Sequence, residues 1–247
     1  FMLFRRKTTL MAQPFDAANL KTTGEAFPLA GDVPDSGNTS NVAFTVSANG
    51  TLLYLSSADA PQEREIVFLD KGGKRGTSVL KMKGLTTFAL SPDKTQFAYS
   101  VANQRVQGDL WLRDMARGAS QRFTFGPFSA FSPVWSPDSS TVAFTTYPAD
   151  RLTRKATQTS AKEELLGVAG TNTFASQWSA DGKLLVYSQT GATSKADLWL
   201  LEVNGAKKPR AYRHTDFNER DGEISPDGQW MAYTSDASGH AEVYIES

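Results

Sequence analysis

One phrase recurs five times along the chain: Ser47-Ala48-Asn49-Gly50, Ser91-Pro92-Asp93-Lys94, Ser136-Pro137-Asp138-Ser139, Ser179-Ala180-Asp181-Gly182 and Ser225-Pro226-Asp227-Gly228. Successive serines are 44, 45, 43 and 46 residues apart. Behind each comes a short apolar segment with an aromatic residue: Leu52-Leu53-Tyr54, Phe97-Ala98-Tyr99, Val142-Ala143-Phe144, Leu185-Val186-Tyr187 and Met231-Ala232-Tyr233. A fixed period in the forties, filled with strand-like rather than helical segments, indicates a β-propeller.

Each repeat reads as four strands, a to d. Pro133-Val134-Trp135 ends strand a, and Thr141 to Thr146 alternates as strand b. The Ser-Pro-Asp-Gly element between them is turn chemistry. Proline presets the first turn residue, aspartate takes local amides, and glycine accepts positive φ. Where Lys94 replaces the glycine, a looser turn is expected. Strand c appears as Asp109-Leu110-Trp111-Leu112 and Asp197-Leu198-Trp199-Leu200. Strand d is the polar edge, as in Gln121-Arg122-Phe123-Thr124 or Lys162-Glu163-Glu164-Leu165-Leu166, which keeps the sheet from pairing with strangers. The fold class expected is all-β: one propeller domain over 1–247, with six blades of four-stranded antiparallel sheets at about 1–30, 41–80, 86–125, 132–168, 174–213 and 222–247. The first blade lacks strand a and the last lacks strand d. Gly31 to Ser40 reads as a loop. Trp135 and Trp178 share one place in strand a, Trp111 and Trp199 one in strand c, and these are read as blade-on-blade packing.

The 247 residues are enough to bury a large core, roughly 70–75% of the unfolded surface. Lysine plus arginine equals aspartate plus glutamate at 26 each, so the basic excess of a nucleic-acid binder is missing. The one basic stretch, Lys71 to Lys83, reads as a solvated hairpin tip, and its Gly72-Gly73 as a tight turn. There is no cysteine, which removes disulfides and thiolate chemistry. No apolar run reaches the roughly 18 residues of a membrane span. Phe1-Met2-Leu3-Phe4 reads as a strand, so the chain is expected to be a piece of something longer. The Gly-x-Ser-x-Gly elbow, the phosphate loop and the EF-hand loop are not found. Asn38-Thr39-Ser40 and Asn49-Gly50-Thr51 match a glycosylation pattern that matters only in a eukaryotic secretory chain.

The unit Trp-Ser-Pro-Asp-Gly, apolar–aromatic strand, Asp-Leu-Trp-Leu resembles the TolB-type propeller repeat and the propellers of prolyl-oligopeptidase-like peptidases. Thr9-Leu10-Met11-Ala12-Gln13-Pro14-Phe15-Asp16, Arg122-Phe123-Thr124-Phe125, Lys162-Glu163-Glu164-Leu165-Leu166 and Phe217-Asn218-Glu219 carry a further likeness. They resemble propeller regions that follow the membrane segment of bacterial, acidobacteria-like serine/threonine protein kinases. The resemblance implies a non-catalytic sensing or protein-binding module, periplasmic or extracellular, with no cofactor.

Candidate site residues cluster at the mouth of the last strand a. Glu219, Asp221 and Glu223 surround Arg220 there, and ion pairs with Arg213 and Arg220 are the plain structural role for them. His214 precedes them, and the equivalent places on neighbouring blades hold Phe128, Phe131, Asn172 and Phe174. His214, His240 and Asp221 make a zinc site only on paper, because zinc needs three or four converging ligands; surface histidines are the better reading, and no metal is expected. The function expected is a binding module presenting loops to a protein or peptide. Alternatives are a gating propeller for a serine peptidase and, last, an enzyme using carboxylates or a metal. Open blade edges add an expectation of edge-strand self-association.

Overall fold

The computed structural model describes all residues except 17, 32, 34–43, 47–50, 58–62, 71–72, 103–107, 159, 170, 192–194 and 206, with backbone alone at 55–57 and 167–169. The first Ser-x-x-Gly turn, most of the 31–40 loop, both glycosylation-like asparagines, Lys71 and Gly72 lie outside the described residues. The described residues contain no helix. The fold is all-β, a six-blade propeller of small antiparallel sheets. The chain divides into two compact units, Phe1–Leu85 and Thr86–Ser247.

Unit 1 holds β1 (Met2–Arg6), β2 (Thr9–Gln13), β3 (Phe15–Asp16), β4 (Lys21–Thr22), β5 (Phe27–Ala30), β6 (Phe44–Val46), β7 (Leu52–Ser57), β8 (Glu63–Leu69) and β9 (Arg75–Lys83). Its first sheet runs β1-β2-β5, the three strands b, c and d that the sequence predicts. The hairpin β3-β4 was not predicted; two-residue strands carry too little periodicity to read. The second sheet runs β6-β7-β8-β9. Gly73, at φ 78°, closes the β8–β9 turn with its amide 3.0 Å from the Asp70 carbonyl. Lys74, Arg75, Lys81 and Lys83 are exposed, and Arg75 and Lys81 pair with Glu65 and Glu63. The basic stretch is a solvated hairpin.

Unit 2 continues with β10 (Leu85–Leu90), β11 (Gln96–Val101), β12 (Leu110–Asp114), β13 (Ser120–Arg122), β14 (Ser129–Trp135), β15 (Thr141–Tyr147), β16 (Arg151–Ala156), β17 (Glu164–Ala169), β18 (Thr171–Trp178), β19 (Leu184–Thr190), β20 (Ala196–Glu202), β21 (Pro209–Arg213), β22 (Glu219–Ile224), β23 (Met231–Ser235) and β24 (Glu242–Glu246). Three four-stranded sheets, β10 to β13, β14 to β17 and β18 to β21, precede the three-stranded β22-β23-β24. Strands β14, β18 and β22 each begin three residues earlier than predicted. A bulge interrupts the alternation in each, and pairing resumes beyond it. Ser132 and Asp221 sit at two of these bulges with φ of 51° and 56°, the conformation in which a bulge turns a strand.

The middle of strand b is apolar because both of its faces are covered. In β15, Val142 and Phe144 pack with Leu110, Leu112 and Phe123 of the preceding sheet, while Ala143 packs with Trp178, Leu185 and Tyr187 of the next. Val186 of β19 turns the other way, to Met231 and Tyr233 of the last sheet. Each such side chain contributes about 1.5–3 kcal/mol by leaving water. Trp135 and Trp178 are buried as the packing role requires, and the Trp135 indole donates to Ala89 O in the neighbouring sheet at 2.9 Å. Gln177 exchanges two bonds with the Ile224 backbone, at 3.1 and 2.6 Å. Gly222 of β22 lies so close to the fifth sheet that a Cβ would stand 2.9 Å from Val186 Cγ1.

Candidate functional site

The first residues of β22 and the loop before it bring together acids whose carboxyls are all raised by burial. Glu219 opens β22 and is only 2% exposed. Its Oε1 accepts from the Thr215 hydroxyl, while Oε2 is buried without a hydrogen-bond partner. Burial pushes its carboxyl above the ordinary range, and the charges of Asp197 and Asp236 push the same way. Asp197, on β20, is 4% exposed. Its Oδ2 lies 2.8 Å from Nδ1 of His214, and its Oδ1 is also buried without a partner.

Asn218 fastens the 214–218 loop on two sides. Its backbone amide and side-chain NH2 both donate to Asp236, at 2.8 and 2.6 Å, and its Oδ1 accepts from the Ala196 amide at 3.2 Å. These bonds hold the Asp236 carboxyl below its ordinary value. No local pattern marks this lock, because it joins residues 18 and 22 positions apart.

Asp221 sits half-buried in the bulge. Desolvation lifts its carboxyl to about 6, against the charge of Arg220 and a hydrogen bond from Thr234. Glu223 keeps access to solvent, yet the protein crowded around it raises its carboxyl, with the Asp221 charge adding to the effect. Arg213 reaches this group through its charge, which acts on Glu219 against the burial, while its hydrogen bonds go elsewhere. It donates to the Tyr233 hydroxyl at 3.1 Å and pairs with Glu246.

The remaining predicted positions separate into two kinds. Phe128 is 45% exposed. Phe131 is buried, and its ring meets that of Phe174 with centroids 5.7 Å apart, so this pair belongs to packing between β14 and β18. Asn172 is exposed at φ 48°, its amide donating to Asp150 at 3.1 Å. His240 is exposed on the β23–β24 loop. Among the described residues no three histidine or acidic side chains are grouped as a zinc ion needs, so the His214, His240 and Asp221 trio does not assemble. Asp197 was not singled out from sequence, although Asp-Leu-Trp-Leu was read for its tryptophan.

No family model matches the chain, and no match is found among curated proteins. Solved structures do resemble it. TolB from Acinetobacter baumannii superposes with a TM-score of 0.74 at 17% identity, over 97% of this chain and 57% of that one. The protein assigned as TolB from Agrobacterium tumefaciens gives 0.67 at 16%, over 90% and 80%. The propeller domain of the Trilobed protease from Pyrococcus furiosus, described as having an open velcro topology, gives 0.59 at 13%, over 97% and 72%. The chain thus spans little more than half the length of the Acinetobacter TolB, and at these identities the likeness is one of fold.

Proposed function

We propose that this chain is a non-catalytic propeller module that binds a protein or peptide through the loops at the inner ends of its blades. It belongs to a larger, extracytoplasmic bacterial protein, and the sequence likeness to kinase-linked propellers supports a sensor role within it. The observation that carries the reading is a repeated exposed aromatic. Phe128 and Phe217 each stand eight residues before the turn serine of their blade, and both reach solvent, at 45% and 41%. Large aromatics left in water at equivalent places of a rigid scaffold are anchor residues for a partner. The loop beside Phe217 is held by the side-chain bonds of Thr215 and Asn218, which lowers the entropy lost on binding. No helix of the described residues is long and apolar enough to cross a membrane.

The test places a photo-cross-linking phenylalanine at 128 or 217 in the longer natural protein, in its host, with Leu165 on the outer strand β17 as the control. A discrete adduct from both inner positions and none from 165 is the expected outcome. Labelling equal at all three, or at none, contradicts the reading. A second reading, the gating propeller of a serine peptidase, is favoured by the likeness to the Pyrococcus protease domain. It predicts that the longer protein reacts with a fluorophosphonate probe.

A further inference from the structure

Asp-Leu-Trp-Leu leads strand c in two blades of unit 2, and its aspartate meets a different cation in each. Asp109 pairs with Arg122, whose Nη2 lies 2.8 Å from Oδ2, and the Thr124 hydroxyl donates to Oδ1 at 3.3 Å. Trp111 faces Arg122 across the sheet, whereas Trp199 faces Ala211. The place of that arginine is therefore uncharged beside Asp197, which is met instead by Nδ1 of His214 at 2.8 Å. Arginine stays charged throughout the physiological range. Histidine changes its charge between about pH 5 and 8.

The difference matters because Asp197 is buried and His214 is not. A carboxylate that water barely touches is costly without a charged partner. The histidine side chain is 70% exposed, so protons reach it freely, and among the described residues it is the one cation paired with Asp197. Glu219 on β22 turns a like charge toward the pair. Arg213, ending β21, acts on Glu219 by charge but is bonded to Tyr233 and Glu246. Asp236, beyond β23, is taken by Asn218 and has the Lys195 charge nearby, while Asp216 is exposed within the loop.

The 214–218 loop is thus fastened differently at its two ends. At Asn218 the bonds run to a carboxyl held below its ordinary value and from the Ala196 amide, so neither changes between about pH 5 and 8. At His214 the fastening is an ion pair only while the ring is protonated. We infer that this loop is a pH-sensitive clasp, whose leading end is closed in mild acid by the His214–Asp197 ion pair and relaxes as pH rises toward about 8. A neutral imidazole still donates one hydrogen bond, but it no longer offsets the buried charge. Glu219 works in the same direction. Its carboxyl, raised chiefly by burial, takes up a proton sooner than an exposed glutamate as pH falls, which removes a like charge from beside Asp197. The clasp deepens the binding reading, and rests on it, only in that the loop carries Phe217; the loop's own response needs no partner.

The test follows amide exchange in the native chain by NMR between about pH 5 and 8, corrected for the intrinsic effect of pH. The Phe217 amide, bonded to the Thr215 hydroxyl, should lose roughly fivefold in protection over that range, the step from a charged donor on Asp197 to a neutral one. The Asn218 amide, bonded to Asp236, should change little. The midpoint should coincide with the titration of the His214 ring, read from its own carbon resonances, and not with that of His240. His214→Gln keeps a donor for Asp197 without the charge, so its loop should show no step, while His240→Gln keeps the native one. A flat native profile, a step that survives His214→Gln, or an equal loss at Asn218 overturns the inference. Should His214→Gln fail to fold, the native midpoints decide: agreement with His214 supports the clasp, and a midpoint elsewhere sinks it. Cross-linking at 128 and 217 reads the partner separately, so either result can fail while the other stands.

Discussion

Asp221 combines two properties that are hard to hold together, a left-handed backbone and a carboxyl lifted to about 6 by desolvation. An unfolded aspartate titrates near 3.9. Between about pH 4 and 6 the folded chain therefore binds more protons at this residue, and its contribution to stability falls as pH rises through that window. Asparagine tolerates the same φ and keeps an oxygen for the Thr234 bond. Asp221→Asn should thus raise stability at pH 7 by about 1–2 kcal/mol, with the gain vanishing below about pH 4, as read by urea melts across pH. Sequence position alone brought His214, Glu219, Arg220 and Asp221 into view, because they crowd one strand mouth. Asp197 escapes the sequence because only the fold brings the 214–218 loop onto the start of strand c, where His214 meets its carboxylate.

At the scale of an element, the serine-led turn is the most faithfully repeated device. The Ser136 hydroxyl donates to Asp138 at 2.6 Å and accepts the Thr141 amide at 2.9 Å, while Asp138 takes the Ser140 amide at 3.0 Å. The same bonds recur at Ser179 with Asp181 and at Ser225 with Asp227. Lys94 and Ser139 adopt φ of 62° and 60° where the other two turns use glycine. The expected loosening at Lys94 does not occur, because its turn keeps the full set of Ser91 and Asp93 bonds. Serine hydroxyls and backbone amides hold Asp138, Asp181 and Asp227 below the ordinary range, and Asp93 is held low against the desolvation around it. Such depressed groups contribute stability that is complete above about pH 4 and lost as pH falls through their folded values. The melting midpoint should drop as pH falls below about 4, and Asp138→Asn should flatten part of that drop while lowering the midpoint at pH 7.

For the molecule as a whole, the period of the turn serines sufficed to place the sheets, since every copy brings its own turn chemistry and its own doubly covered strand b. Less was legible where that logic relaxes. The β3-β4 hairpin is too short for a pattern, and the bulges in β14, β18 and β22 break alternation where the strands approach the candidate site. The central claim is that each copy of the repeat forms one sheet, whose inner strands are locked between neighbours and whose outer strand is not. Hydrogen–deuterium exchange with residue-level readout tests it most directly. Slow amides should recur in β11, β15, β19 and β23, the strands flanked on both sides, at the spacing of the turn serines, with β13 and β21 exchanging far sooner. Protection spread evenly along each repeat, or strongest in the outer strands, would contradict the account.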